Sequence, residues 1–176
     1  MLTSSVAIVP PEPVRRRIDE VRRRFDRVWA DVVLGHVSLM KPLKRLFSPA
    51  EIENLRVALG DAPCFTARTA LLEALVSSDG LFLALRVEPE EHFLDLHRRI
   101  VRVLGADASF ISFRPHVTVG SFVSQEALAK AYEEIADLFS EVEFFVDAAY
   151  LLVVDTDAKP SPVREVTRFE LAKPRY

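Results

Sequence analysis

Apolar residues recur along this chain at two spacings, and the switches between them divide it into strands and helices. Residues 5–9 form a short apolar run closed by Pro10-Pro11, which reads as a strand. Ile18, Val21, Phe25 and Val28 then fall at helical spacing and predict an amphipathic helix over residues 13–28. Residues 31–39 read as a second strand that stops at Lys41-Pro42. Ser48-Pro49-Ala50-Glu51 carries a strong helix start: a serine N-cap, proline at the first helical position and a glutamate placed to cap back. That helix ends at Gly60, and residues 64–76 follow as one or two strands.

The order then recurs. Residues 81–87 read as a strand. Phe93, Leu96, Ile100 and Val103 mark the apolar face of a helix over residues 89–104, ended by Gly105. Residues 110–119 form a strand broken by Pro115, Ser124 opens a helix reaching about Phe139, and residues 143–154 form another strand. A polar loop over residues 155–162 leads to a last strand over residues 163–171. Each half reads strand, helix, strand, helix, strand. The expectation is a single α+β domain over residues 1–176. It is bilobal, with two pseudo-symmetric lobes, each an antiparallel sheet with two helices, and a groove between them. The approximate halves are 1–78 and 79–176.

The strand in the same slot of each half carries a matching tripeptide, His36-Val37-Ser38 and His116-Val117-Thr118. On a strand, alternate residues share a face, so His36 projects with Ser38, and His116 with Thr118. The valines point the other way and pack. A single His-apolar-Ser-apolar stretch is weak and most often marks a structural histidine. Two copies, in equivalent slots, use two of the four histidines of the chain. Facing one another, two imidazoles and two hydroxyls suit in-line displacement at phosphorus: one histidine takes a proton from water, the other gives one to the departing oxygen. Ser38 and Thr118 would donate hydrogen bonds to the phosphate oxygens. Neither motif has a carboxylate or a further histidine at ligand spacing, so a two-histidine metal enzyme is the weaker reading and no cofactor is expected.

Composition narrows the partners. Of 176 residues, 49% are hydrophobic and 28% charged, the balance of a globular protein with a full core. A net charge of −3 argues against long double-stranded nucleic acid, which needs a basic surface. Cys64 is the only cysteine, so no intrachain disulfide can form, and it reads as a small buried hydrophobe. With no basic leader ahead of an apolar run and no span of membrane length, the expectation is a cytoplasmic protein that binds no membrane. No partner surface stands out, so a monomer is expected.

The motifs His36-Val37-Ser38-Leu39 and His116-Val117-Thr118-Val119 resemble those of the two-histidine (2H) phosphoesterase superfamily, which includes the 2′,5′ RNA ligase-like proteins and cyclic phosphodiesterases. Its members carry two His-x-Ser/Thr-x motifs with hydrophobic x, and often a proline before the second histidine, as Pro115 is here. The resemblance implies a bilobal fold and metal-independent action on 2′,3′-cyclic phosphates of RNA ends or small nucleotides. It makes His36 the acid for the leaving group and His116 the base for water. Many relatives follow the second motif with a basic residue. Here Gly120-Ser121 follows, which leaves Lys41 or Arg114 as candidates to supply positive charge to the substrate. Two alternatives stand beside hydrolysis: a nucleotide-binding module that turns nothing over, and RNA 2′,5′-ligase activity.

The runs Arg15-Arg16-Arg17 and Arg22-Arg23-Arg24 invite an RNA-binding reading, but Asp19, Glu20 and Asp26 lie beside them, so a solvated, ion-paired helix face is the better one. His92 and His97 point roughly 140° apart on their helix and read as surface or boundary residues. Phe65 and Phe113 are candidates to stack a base, though core packing is commoner for strand aromatics. Lys159 is a candidate for the groove rim.

Overall fold

A computed structural model describes residues 1–26, 29–77, 80–139, 141–155, 157 and 164–173. It contains β1 (Leu2–Ile8), α1 (Val14–Phe25), β2 (Val37–Ser38), α2 (Pro49–Gly60), β3 (Phe65–Ser77), β4 (Gly80–Glu88), α3 (Glu90–Leu104), β5 (His116–Phe122), α4 (Gln125–Ala136), β6 (Glu143–Val146), β7 (Ala148–Asp155) and β8 (Arg164–Glu170). The helix starts form as their sequences dictate. Ser48 Oγ accepts from the Glu51 amide at 3.2 Å while the Glu51 carboxylate accepts from the Ser48 amide at 2.8 Å, a reciprocal cap. Ser124 Oγ accepts from the Ala127 amide at 3.2 Å and starts α4. Gly105 ends α3 with φ 89°, a conformation that side chains other than glycine's resist.

The strands join into one eight-stranded sheet in the order β6-β3-β4-β5-β2-β1-β7-β8. Every pairing between named strands is antiparallel. The fold is α+β, with two four-stranded sides and two helices for each. On one side α1 packs against β5, and α4 against β3, β4 and β5; on the other α2 packs against β8 and α3. The sides are not the two halves of the chain, however. β3 and β4 flank the expected division at 78–79 and pair with one another, from Arg68↔Glu88 to Ser77↔Gly80. β1 pairs with β7, from Leu2↔Asp155 to Ala7↔Tyr150. The expected division therefore falls between two paired strands of one side of the sheet, and β1 lies beside a strand from the far end of the chain.

Two strands are shorter than their sequences suggest. Residues 31–36 precede β2 without joining it. The Gly35 amide donates to Asp19 Oδ1 of α1 at 2.7 Å, which ties this segment to a helix in place of a strand neighbour. Likewise the strand expected from residue 110 begins only at His116, because Phe110 and Phe113 turn aside to pack on His97. The helix expected over residues 13–28 ends at Phe25; its last expected apolar position, Val28, lies outside the described residues. The core is continuous beneath the sheet centre: Val6, Ile8, Val37, Leu39, Leu83, Leu85, Val117 and Val119 are at most 1% exposed.

Gly35 sits where α1 and the approach to β2 meet most closely. A Cβ there would lie 2.7 Å from Ile18 Cγ2 and 3.1 Å from Asp19 Oδ1. Gly35→Ala should therefore overpack a filled position and cost about 1–3 kcal/mol. Urea unfolding would show a lower midpoint at unchanged slope.

Candidate functional site

The two tripeptides meet because their strands are neighbours. β2 and β5 pair antiparallel with Val37 opposite Val117, and this register sets His36 opposite Thr118 and Ser38 opposite His116. Both valines are fully buried, so alternation turns the other four side chains to the opposite face together. The result is a local two-fold arrangement, with each imidazole beside the other motif's hydroxyl. Directly opposite side chains on such strands have Cβ atoms roughly 4.5–5.5 Å apart.

The two rings are anchored alike. His36 Nδ1 donates to the Leu34 carbonyl at 2.8 Å, and His116 Nδ1 donates to the Arg114 carbonyl at 2.7 Å. A carbonyl two residues back thus holds the proton on Nδ1 and leaves each Nε2 as the basic nitrogen. His36 Nε2 lies 3.0 Å from Ser38 Oγ, whose hydroxyl donates to the neutral ring. His116 Nε2 has no hydrogen-bond partner among the described residues. Both rings are partly buried. Desolvation pushes His36 down to about 4; the Leu34 carbonyl opposes this, and the positive charges of Arg22 and His116 add to it. Desolvation also lowers His116, against the Arg114 carbonyl and the Glu73 carboxylate, which pull it up.

A fifth side chain completes the cluster. Arg22, at 3% exposure, lines a cavity of about 40 Å³ with His36, Ser38, His116 and Thr118. It is clamped from behind by Asp26 Oδ2 at 3.0 Å and Asp19 Oδ1 at 3.2 Å, and it also donates to the Val33 carbonyl. This cavity adjoins a second of about 290 Å³, which shares Arg22, His36, Ser38 and Thr118 and has apolar walls from Trp29, Phe82, Leu152 and Val154. A larger cavity of about 560 Å³ holds neither histidine. Its Arg86 pairs in register with His116, so it continues the same sheet face, and Glu88, Glu90, Glu91 and Glu143 make it acidic. The four motif side chains converge on the small cavity, and none of them lines the 560 Å³ one.

The sequence pattern of the 2′-5′ RNA ligase superfamily matches residues 10–158. The chain belongs to that superfamily. A Geobacillus sp. (strain WCH70) relative that carries the name phosphoesterase is 24% identical over 153 residues, which cover 84% of this chain and 85% of the relative. Among solved structures, TT0787 of Thermus thermophilus aligns with a TM-score of 0.66 at 16% identity, over 98% of this chain and 100% of that one. E. coli LigT in its NADP+ complex aligns with a TM-score of 0.65 at 19% identity, over 96% of each chain.

The other expected residues fall elsewhere. Lys41 and Arg114 are exposed and line none of the cavities around the histidines. Arg114 serves through its backbone carbonyl instead. Phe65 is buried and packs on Phe93 and His92, while Phe113 stacks on His97 at 4.5 Å, so both aromatics are structural here. His97 is not a surface residue: it is 7% exposed and bonded through Nδ1 to the Leu39 carbonyl at 2.8 Å, which fixes the strand just past Ser38. Lys159 lies outside the described residues. Among the described residues, no group of three His, Cys, Asp or Glu side chains is gathered closely enough to hold a metal ion. No described helix is long and apolar enough to cross a membrane.

Arg22 is the residue that the sequence pattern missed. It stands in an arginine run that reads as a solvated face, yet Asp19 and Arg22 turn inward beside Ile18 and Val21. The available signal was spacing: Asp19, Arg22 and Asp26 lie three and four residues apart, on one face of the helix and its end.

The electrostatics of His36 make a stability prediction. A histidine whose folded pKa lies below its unfolded value stabilises the fold fully above the unfolded pKa, and that contribution is lost as pH falls through the folded one. Lowering pH from 6.5 to about 4 should therefore cost the wild type at most about 3 kcal/mol through His36. Chemical denaturation of His36→Asn across that window should show a shallower decline than the wild type.

Proposed function

We propose that the protein hydrolyses a 2′,3′-cyclic phosphodiester, on an RNA end or a small nucleotide, to a 2′-phosphomonoester without a metal ion. The observation that carries this is the convergence of both imidazoles and both hydroxyls on one small cavity. A phosphoryl group seated there has Thr118 as a hydrogen-bond donor for one non-bridging oxygen, and Ser38 for another once its hydroxyl turns from His36 Nε2, which frees that nitrogen. One neutral Nε2 takes a proton from water as the water oxygen bonds to phosphorus. The other imidazole, protonated, gives its proton to the 3′ oxygen as the bond from that oxygen to phosphorus breaks. The E. coli protein LigT has been crystallised with 3′-AMP, ATP and NADP+, all nucleotides, which fits a nucleotide-sized substrate here.

The surroundings favour a division of labour opposite to the one the resemblance implies. His36, driven to about 4, is neutral at pH 7 and suits the base. His116 is also lowered by desolvation, against the Arg114 carbonyl and the Glu73 carboxylate, and takes the acid role that His36 leaves. The anionic substrate raises both and makes the charged partner easier to form.

Nucleoside 2′,3′-cyclic phosphates in the presence of EDTA provide the direct assay, with a 2′-phosphate as the expected product. His36→Ala and His116→Ala should each lose roughly 100- to 10,000-fold in kcat/KM, and wild-type activity in both variants would overturn the reading. The pH profile of kcat/KM should be a bell whose acidic limb falls near 4. An acidic limb near 6.5 would overturn the reading of His36 as a base that stays neutral down to about 4.

A further inference from the structure

We propose that Arg22 is the fixed anion donor of this site, binding a non-bridging phosphoryl oxygen through the one guanidinium N–H that its own partners leave over. A guanidinium has five N–H groups. In Arg22, Nε donates to Asp26 Oδ2 at 3.3 Å, Nη2 donates once to the same oxygen at 3.0 Å, and Nη1 donates to Asp19 Oδ1 at 3.2 Å and to the Val33 carbonyl. The second N–H of Nη2 has no partner among the described residues. The guanidinium is planar, so this bond points away from Asp26. The side chain is almost wholly covered, yet it lines both the small cavity and its apolar neighbour.

A buried donor without an acceptor is costly, and such a group in a native fold calls for a ligand. The rest of the clamp argues the same way. Asp19 and Asp26 hold the guanidinium in place before any substrate arrives, so the donor needs no reorganisation to meet an oxygen. The position also answers the missing cation after the second motif: Gly120-Ser121 stands there, and Lys41 and Arg114 are exposed outside the cavity. The positive charge comes from α1 instead.

This inference rests on the phosphoesterase reading, and its test separates the two. Arg22→Lys keeps the charge and loses the planar fork; Asp26→Asn keeps the guanidinium and weakens the clamp. Melting curves establish that each variant folds. Calorimetry with inorganic phosphate and kinetics with a nucleoside 2′,3′-cyclic phosphate then report on the site. Arg22→Lys should weaken phosphate binding and kcat/KM by roughly 10- to 100-fold. Asp26→Asn should weaken phosphate binding as well, but less than Arg22→Lys does, because the donor N–H survives while its clamp loosens. A merely structural Arg22 predicts equal losses in both variants that track the loss of melting temperature, and that result would overturn the proposal, as would unchanged phosphate binding in Arg22→Lys. If Arg22→Lys does not fold, Arg22→Gln combined with Asp19→Asn and Asp26→Asn removes the buried charges together, and retained phosphate binding there would overturn it equally. Arg22-dependent phosphate binding without turnover of any cyclic phosphate would leave this inference standing and sink the hydrolase reading.

Discussion

The pairing of Val37 with Val117 is the constraint on which the site depends. It is a single register contact in the middle of an eight-stranded sheet, yet it joins the two four-stranded sides. Because side chains on a strand alternate, a slip of one residue would turn one motif's imidazole and hydroxyl into the core and its valine outward. Burial of both valines opposes that slip. Their neighbours fix the same register from either side: Val37 lies opposite Ile8 of β1, and Val117 opposite Leu85 of β4. The apolar face of the sheet thereby sets the geometry of its polar face.

Much of this was legible in the chain itself. The motifs announced themselves because a strand's period of two makes His-Val-Ser and His-Val-Thr two-faced by construction, with no tertiary knowledge needed. Helix starts at Ser48 and Ser124 were equally local, since a cap is satisfied within its own turn. What escaped was whatever depends on a distant partner. Asp19 and Arg22 look like surface charges until the loop before β2 folds onto α1 and gives them Gly35 and Val33 to bond. His97 looks like a boundary residue until the Leu39 carbonyl and Phe113 arrive from other elements. The repeated order of elements suggested two lobes that follow the two halves of the chain. Strand exchange across the sheet is a long-range choice, and spacing along the chain does not encode it.

The buried charges around His36 are a second organising element. One oxygen, Asp19 Oδ1, accepts both from Arg22 and from the Gly35 amide. The guanidinium and the backbone leading into the first motif are therefore held by the same carboxylate. Such a cluster is costly to bury and contributes less to stability than to fixing one arrangement among several. Here the arrangement it fixes is the approach of the first histidine to the sheet.

The local two-fold relation of the motifs has a consequence for direction. Two imidazoles and two hydroxyls related in this way present nearly the same face to a phosphoryl group whichever way round it enters. The motifs alone do not select the side of phosphorus that water attacks. The walls break the tie. The apolar cavity of Phe82, Leu152 and Val154 opens beside His36, Ser38 and Thr118 but does not include His116, while Arg86 and the carboxylates beyond it flank His116. A ligand with an apolar end would find an apolar wall on the His36 side only. Which way round a ligand would sit is then set by residues outside the two motifs.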